Sequence, residues 1–384
     1  MPPPHVRRGR PFVKWSAAGD IGRENDDPGS SMLERIWRSI RRAAPETRRF
    51  PPPRVDGEEQ GRRVHAALAA FLAHDESRFR DLFLASKAIV PDAAERSWLE
   101  DLAAAGYVLP ARGGAVAPCV RVFFLDELFI ATDLLAHDDE DQVFSLMLEQ
   151  VFLTRTMDVR QGDDVLELCL GSGVNAIAAA RRGAARAMGV DVSPRALAFA
   201  QANAAVNLSR ARGDVPLETL HGSLFEVVAH DDRFDLVLVN PPFELVPPGT
   251  RYFLHSHGGE DGLDVVRALL PGVRARLKPG GRFEMYTWTP GDEGSERVTD
   301  LVLAAFPGYR IEVRRVDGLP LQARIERFRD NPRYGPWLDR LVRQGITHVW
   351  GVDIRALPDG PPGLVRIDAM DDVRACEDLL ARWA

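Results

Sequence analysis

Apolar positions change rhythm along this chain. Up to about residue 60 they show no sustained period; Pro, Arg, Gly and acids dominate, with one short helical stretch at 32–42. Such a segment cannot bury enough apolar surface to offset its ordering entropy, so a flexible arm over 1–60 is expected. From Arg63 the spacing becomes helical: 64–72 carries a first helix, 77–86 a second with Phe79, Leu82 and Phe83 inward, and 93–105 a third that Gly106 would cap. Alternating runs at 107–109, 120–125 and 128–130 read as strands around a Gly113-Gly114 turn. Residues 61–135 are therefore expected to form a helical, winged-helix-like domain. Its third helix holds Glu95, Glu100 and Asp101, which favours a structural or substrate-covering role over reading a DNA groove.

An amphipathic helix is expected at 138–157. Apolar strands then alternate with helical segments: strands at 165–170, 187–191, 217–220, 235–239, 283–288, 311–316 and 346–355, helices at 174–183, 194–205, 262–277 and 295–305. That alternation marks a parallel sheet covered on both faces, an α/β domain of Rossmann-like type. An unusually long connection at about 319–345, with its own helix near 336–343, reads as a functional cover.

Composition narrows this picture little. The 384 residues are 45% hydrophobic and carry a formal net charge of -7, which argues mildly against a dedicated nucleic-acid binder. Three scattered cysteines argue against a disulfide framework or a zinc site, so no metal is expected and a reducing cytoplasm is the default. No apolar run reaches the roughly 20 residues of a membrane helix.

Two segments carry candidate chemistry. In Val165-Leu166-Glu167-Leu168-Cys169-Leu170-Gly171-Ser172-Gly173 an apolar strand runs into a glycine turn and a helix start, whose amides can face a ligand. Asp191 ends the next strand 20 positions after Gly171, where a carboxylate can hold ribose hydroxyls. The glycine pattern alone also fits a dinucleotide site. Glu167 weighs against that, because an acid inside an apolar strand needs a partner, and a cationic amino group is one. The second segment, Asn240-Pro241-Pro242-Phe243, follows the strand at 235–239. An amide oxygen and the Pro241 carbonyl can hold a poorly nucleophilic N–H, Pro242 stiffens the turn, and Phe243 can stack on a planar acceptor.

With these motifs the chain resembles the class I S-adenosylmethionine-dependent methyltransferases, and most closely the group of protein-glutamine N5-methyltransferases and small-domain ribosomal RNA N-methyltransferases. His257-Gly258-Gly259-Glu260-Asp261-Gly262-Leu263-Asp264 is similar to that group's loop entering the next helix. The resemblance implies S-adenosylmethionine as cofactor, a seven-stranded sheet with its last strand antiparallel, and a methyltransferase domain over 136–384. Glu167, Cys169, Gly171, Ser172, Gly173, Asn175, Asp191, Val192, Ser193, Ser223, Leu224 and Asn240 are then the expected cofactor contacts. Asn240, Pro241, Pro242 and Phe243 are the expected catalytic residues, and Phe144, Phe243, His257 and Tyr286 the expected substrate contacts. Glu149 and Gln150 are expected near the methionine end of the cofactor. Ser223 stands where the family has an Asp, and Tyr286 where the glutamine methylators carry an acid.

The reading that follows is N-methylation of a planar nitrogen on a small molecule or natural product, with no membrane partner. Protein-glutamine, RNA-base and oxygen methylation remain open, as do a nicotinamide-dependent oxidoreductase and a non-catalytic adaptor. The acceptor and the oligomeric state, monomer or dimer, are not legible in the sequence.

Overall fold

A computed structural model describes residues 49–383. The expected arm up to residue 48, with its helix at 32–42, lies outside the described residues. Helix α1 (Gly57–His74) starts earlier than the apolar rhythm indicated, followed by α2 (Glu76–Phe83) and α3 (Glu95–Ala104). Strands β1 (Val108–Pro110) and β2 (Val116–Pro118) form one antiparallel hairpin, with Ile89 bridged to Val116. Strands β3 (Val120–Leu125) and β4 (Leu128–Asp133) form a second hairpin. Phe71, Phe79, Phe83 and Phe129 pack edge-to-face or tilted between these helices and β4.

The expected helix at 138–157 shrinks to α4 (Leu148–Thr156). The acids ahead of it are spent on ion pairs outside any helix: Asp139 meets Arg49 at 2.7 Å, and Glu140 meets Arg251. Asp133 accepts from the Val143 amide and holds the returning chain. Met147 is extended, so the helix begins only after it.

The remaining elements are β5 (Asp164–Leu168), α5 (Val174–Arg181), β6 (Arg186–Asp191), α6 (Pro194–Asn207), β7 (Leu217–His221), β8 (Phe234–Val239), α7 (Asp264–Arg276), β9 (Leu277–Gly291), α8 (Arg297–Ala305), β10 (Arg310–Pro320), α9 (Leu321–Ile325), α10 (Tyr334–Arg343), β11 (His348–Leu357), β12 (Gly363–Arg366) and α11 (Met370–Trp383). The sheet order is β12-β10-β11-β9-β8-β5-β6-β7. The adjacent strands β7, β6, β5, β8 and β9 pair in parallel, and β11 runs antiparallel between β9 and β10. The seven expected strands are present in a Rossmann-like sheet. An eighth, β12, adds a parallel edge that its short, exposed sequence did not announce.

Period-two alternation decides what each sheet face carries. Leu166, Leu168, Val237, Val239, Phe283 and Met285 join α7 and α8 in one core. The alternate positions Val165, Leu236, Leu238, Tyr286 and Trp288 join α4, α5 and the N-terminal elements in the other. Glu167 sits on this second face, among the groups of α4 and α5.

Helix α6 ties the β3–β4 hairpin to the sheet by an unusual device. Asn207 accepts from the Phe129 amide and donates to the Phe129 carbonyl, both at 2.8 Å. One turn earlier, Asn203 treats Ala131 the same way, at 2.8 and 3.0 Å. Two side-chain amides thus stand in for a neighbouring strand along β4, and all four atoms they satisfy are buried backbone groups. Asn207→Leu should leave the Phe129 N–H and C=O unpaired and lower unfolding free energy by about 2–4 kcal/mol. Urea denaturation checks this; a loss below ~0.5 kcal/mol would show that the pairing is dispensable.

Candidate functional site

Ligands of open α/β sheets bind beyond the strand ends where chain order reverses. Here the reversal lies at β5, flanked by β6 and β8. Leu168 is in register with both Val190 and Val239. The glycine loop, Asp191 and Asn240 therefore emerge from three adjacent strand tips.

The strand at 165–170 ends at Leu168, earlier than expected, because Cys169 turns the chain at φ +58°. Leu224, on the loop after β7, also has positive φ, +47°. Two strained non-glycine residues beside one crevice are a mark of a functional site. Gly171 and Gly173 also have positive φ but divide the work. A Cβ on Gly173 would come within 2.9 Å of the Ala200 Cβ, so that glycine lets α6 approach. A Cβ on Gly171 would meet nothing within 4 Å, so that glycine borders open space. Asp191 binds this loop from the next strand: its carboxylate accepts from the Gly171 amide at 2.9 Å and the Ser193 amide at 2.8 Å. Burial raises the Asp191 pKa above the ordinary value despite these bonds. Val192, one residue on, leaves 51% of its surface exposed, an apolar shelf beside Ser223 and Leu224, which are half-buried.

Glu167 is 1% exposed. One oxygen accepts from Asn175 Nδ2 at 2.7 Å and the other from the Ala176 amide at 2.8 Å, so it caps the first turn of α5 from the strand. Burial pushes its carboxyl up to about 8, against the pull of those two bonds. Asn175 in turn accepts from Thr154 Oγ1 at 2.7 Å.

On the β8 side, Asn240 is held from two directions. Its Oδ1 accepts from Gln150 Nε2 at 2.8 Å, and its Nδ2 donates to the Tyr286 carbonyl at 3.0 Å. The loop after the tetrapeptide braces it. A Cβ on Gly258 would lie 2.8 Å from the Phe243 backbone, and Glu244 exchanges backbone bonds with Ser256 and Gly258. Buried Glu244 meets Arg324 at 2.7 Å and also Arg327, both from the long connection after β10. The Arg324 guanidinium lies 4.2 Å from the Trp288 ring centre and 5.9 Å from that of Phe243. Trp337 donates to the Glu260 carbonyl at 2.9 Å. The segment at 319–345 is thus fastened to Phe243, Glu244 and Glu260.

Other expected contacts lie around this centre. Phe144 stacks on His255 at 4.9 Å, and His255 on Phe253 at 5.3 Å. Burial drives His255 down to about 3, and its ring joins the segments of Phe144 and Phe253. His257 is exposed, and its Nδ1 accepts from the Gly259 amide within its own turn. Tyr286 is fully buried behind the tetrapeptide, 6.0 Å from the Phe152 ring, and meets Asn240 through its carbonyl. Glu149 is buried too, which lifts its carboxyl to about 7. Gln150, expected near the methionine end of the cofactor, bonds to Asn240. Thr154, Glu244, Trp288 and Arg324 were missed. The i, i+4 spacing of Gln150 and Thr154, which puts both on one face of α4, was the available signal for one of them.

Comparison with known proteins decides the family. The model for "Ribosomal protein L11 methyltransferase (PrmA)" matches residues 146–241. A release factor glutamine methyltransferase of Moorella thermoacetica is 30% identical over 262 residues, 65% of this chain and 85% of that protein. The chain belongs to the protein-glutamine N5-methyltransferase group of class I S-adenosylmethionine-dependent methyltransferases. Release factor glutamine methyltransferases of Geobacter sulfurreducens and Caulobacter vibrioides are 38% and 36% identical over 30% and 45% of this chain. The chain spans only 42% and 59% of the length of those two relatives.

The cofactor of this family is S-adenosylmethionine, and the residues present fit it. The space beside Gly171 would take the methionine part, Asp191 the ribose, and Val192 with Leu224 the adenine face. The buried Glu167 carboxyl retains lone pairs for an ammonium group. A cation there would draw its pKa below about 8 and expel its proton. S-adenosylhomocysteine titrated at pH 7 in buffers of different ionisation enthalpy should therefore release up to about one proton, and Glu167→Gln should release less. Equal release by both proteins would remove Glu167 from the site. In the ligand-free protein the sign is opposite to that of a salt-bridged acid. The raised pKa stabilises the fold fully below the ordinary glutamate range, and this contribution is lost as pH climbs through about 8.

Proposed function

We propose that this chain transfers a methyl group from S-adenosylmethionine to the side-chain amide nitrogen of a glutamine on a protein acceptor. The observation that carries the reading is the fixed Asn240 amide at the tip of β8, next to the glycine loop of β5. One N–H of its Nδ2 goes to the Tyr286 carbonyl, and its Oδ1 keeps a lone pair beyond the bond from Gln150, which suits a group bearing N–H or O–H.

When bound, the cofactor supplies an electrophilic methyl group on a sulfonium that departs as a neutral thioether. The protein's part is positioning, which suits an in-line displacement. Asn240 Oδ1 and the Pro241 carbonyl accept hydrogen bonds from the acceptor nitrogen, hold its lone pair toward the crevice and take up positive charge as the N–C bond forms. One N–H proton is then lost from that nitrogen to water. Phe243 supplies a flat wall beside the planar amide, and Arg324 with Glu244 keeps that wall in place.

A protein acceptor is favoured over a small molecule because the relatives are named for glutamine methylation of release factors. The small-molecule expectation has no counterpart among them. Release factors are the first acceptors to try. Incubation with a purified release factor and isotopically labelled cofactor, followed by peptide mass spectrometry, should place the label on a glutamine. Asn240→Ala should lower the rate by about 10²–10³-fold, with S-adenosylhomocysteine affinity retained. Labelling of an RNA base or a free small amide, with every protein acceptor left unmodified, would overturn the reading.

A further inference from the structure

The orientation of the Asn240 amide is dictated by a chain of hydrogen bonds whose two ends are backbone groups. At one end the Met147 N–H, which can only donate, gives to Gln150 Oε1 at 2.9 Å. Gln150 must then present its NH2, and Nε2 donates to Asn240 Oδ1 at 2.8 Å. Asn240 must in turn present its own NH2, and Nδ2 donates to the Tyr286 carbonyl at 3.0 Å, a group that can only accept. Reversing either amide would set donor against donor at one junction and oxygen against oxygen at the next. Both ends are structural. The Met147 amide is an orphan of the α4 start, closed by Gln150 as in a capping box. Tyr286 belongs to β9 in mid-sheet.

We propose that Gln150 is a positioning residue that sets which face of the Asn240 amide meets the acceptor. This rests on the reading of Asn240 as the acceptor-binding amide. Gln150 itself need not touch the acceptor. Without its NH2, the Tyr286 carbonyl alone would hold the Asn240 amide, whose side chain would be freer to rotate and offer a donor where the acceptor N–H requires an oxygen. Thr154, one turn along the same helix, reaches Asn175 and through it Glu167. One face of α4 therefore fixes polar groups on both sides of the crevice, and Gln150 serves the acceptor side.

Gln150→Glu separates this role from a merely structural one. A carboxylate at 150 cannot donate to Asn240 Oδ1, whereas a protonated carboxyl can. The charged and titratable groups around the position are Glu149 on the same helix, Tyr286 on β9, Glu244 after β8, Arg324 on α9, Asp317 on β10 and Glu167 on β5. All are shared with the unaltered protein, whose pH profile run in parallel isolates the contribution of residue 150.

The experiment has two arms on the full chain. In the first, the side-chain NH2 signals of 15N-asparagine-labelled protein are followed, with the Asn240 pair assigned by its disappearance in Asn240→Asp. In the second, single-turnover methylation of the release factor is measured with saturating cofactor. Gln150→Glu should move the Asn240 signals and cut the rate about 100-fold at pH 8, both recovering as pH falls. Gln150→Met, which has no donor in either form, should show the same losses at every pH and also serves if the charged variant does not fold. S-adenosylhomocysteine affinity should stay within about threefold throughout, since about 0.7 kcal/mol is the most that a distant packing change should add. Unmoved Asn240 signals in both variants would overturn the proposal, as would a rate that is pH-independent in Gln150→Glu relative to the parent. If the unaltered protein leaves the release factor unmethylated, the functional reading fails, while the first arm still decides whether Gln150 orients Asn240.

Discussion

The site depends on one constraint: buried polar groups must be satisfied, and backbone groups cannot exchange donor for acceptor. Met147 N–H and Tyr286 C=O stand at the ends of a short relay, and the two amides between them have a single consistent orientation. A parallel relay runs from Thr154 through Asn175 to Glu167. Both start from α4, a helix of nine residues. The helix works less as a link between two regions than as a template that gives direction to the polar groups of the crevice.

The segment after β10 adds a second layer of fixed contacts. Buried ion pairs are costly to desolvate and add little net stability, yet removing one partner leaves a stranded charge. Glu244, immediately after the tetrapeptide, is joined to Arg324 and Arg327 in that way. That segment is therefore registered on the residue adjoining Phe243, and Arg324 reaches the aromatic rings of Phe243 and Trp288. The β3–β4 hairpin is registered by a similar logic, through Asn203 and Asn207. Asn203 also donates to the Ser172 carbonyl at 2.9 Å, which connects the hairpin to the cofactor loop.

Much of the fold was legible because apolar strands buried on both faces stand out against helical spacing, as at 165–168 and 234–239. The glycine loop, Asp191 and the tetrapeptide were legible for a different reason: their residue types are costly or restrictive where they stand. What escaped were features fixed by tertiary partners. The helix expected at 138–157 loses its first half because Asp139 and Glu140 find arginines in other segments. The lone strand β12 lacked a strong local pattern, whereas the final helix α11 carries one that was passed over, with Val373, Cys376, Leu380 and Trp383 buried at helical spacing. The bond from Gln150 to Asn240 escaped because it joins residues 90 positions apart. Glu167 was expected as a ligand for a cation, and the structure adds a capping role for it on α5 that the strand pattern alone could not reveal.

The most direct measurement is a crystal structure of the full chain grown with S-adenosylhomocysteine. The account predicts the adenosyl group along Asp191 and Val192, the amino-acid end beside Gly171, and the sulfur facing a side-chain oxygen of Asn240 that still accepts from Gln150. Ligand bound away from the β5 and β8 tips, or an Asn240 amide turned with its nitrogen toward the sulfur, would contradict it.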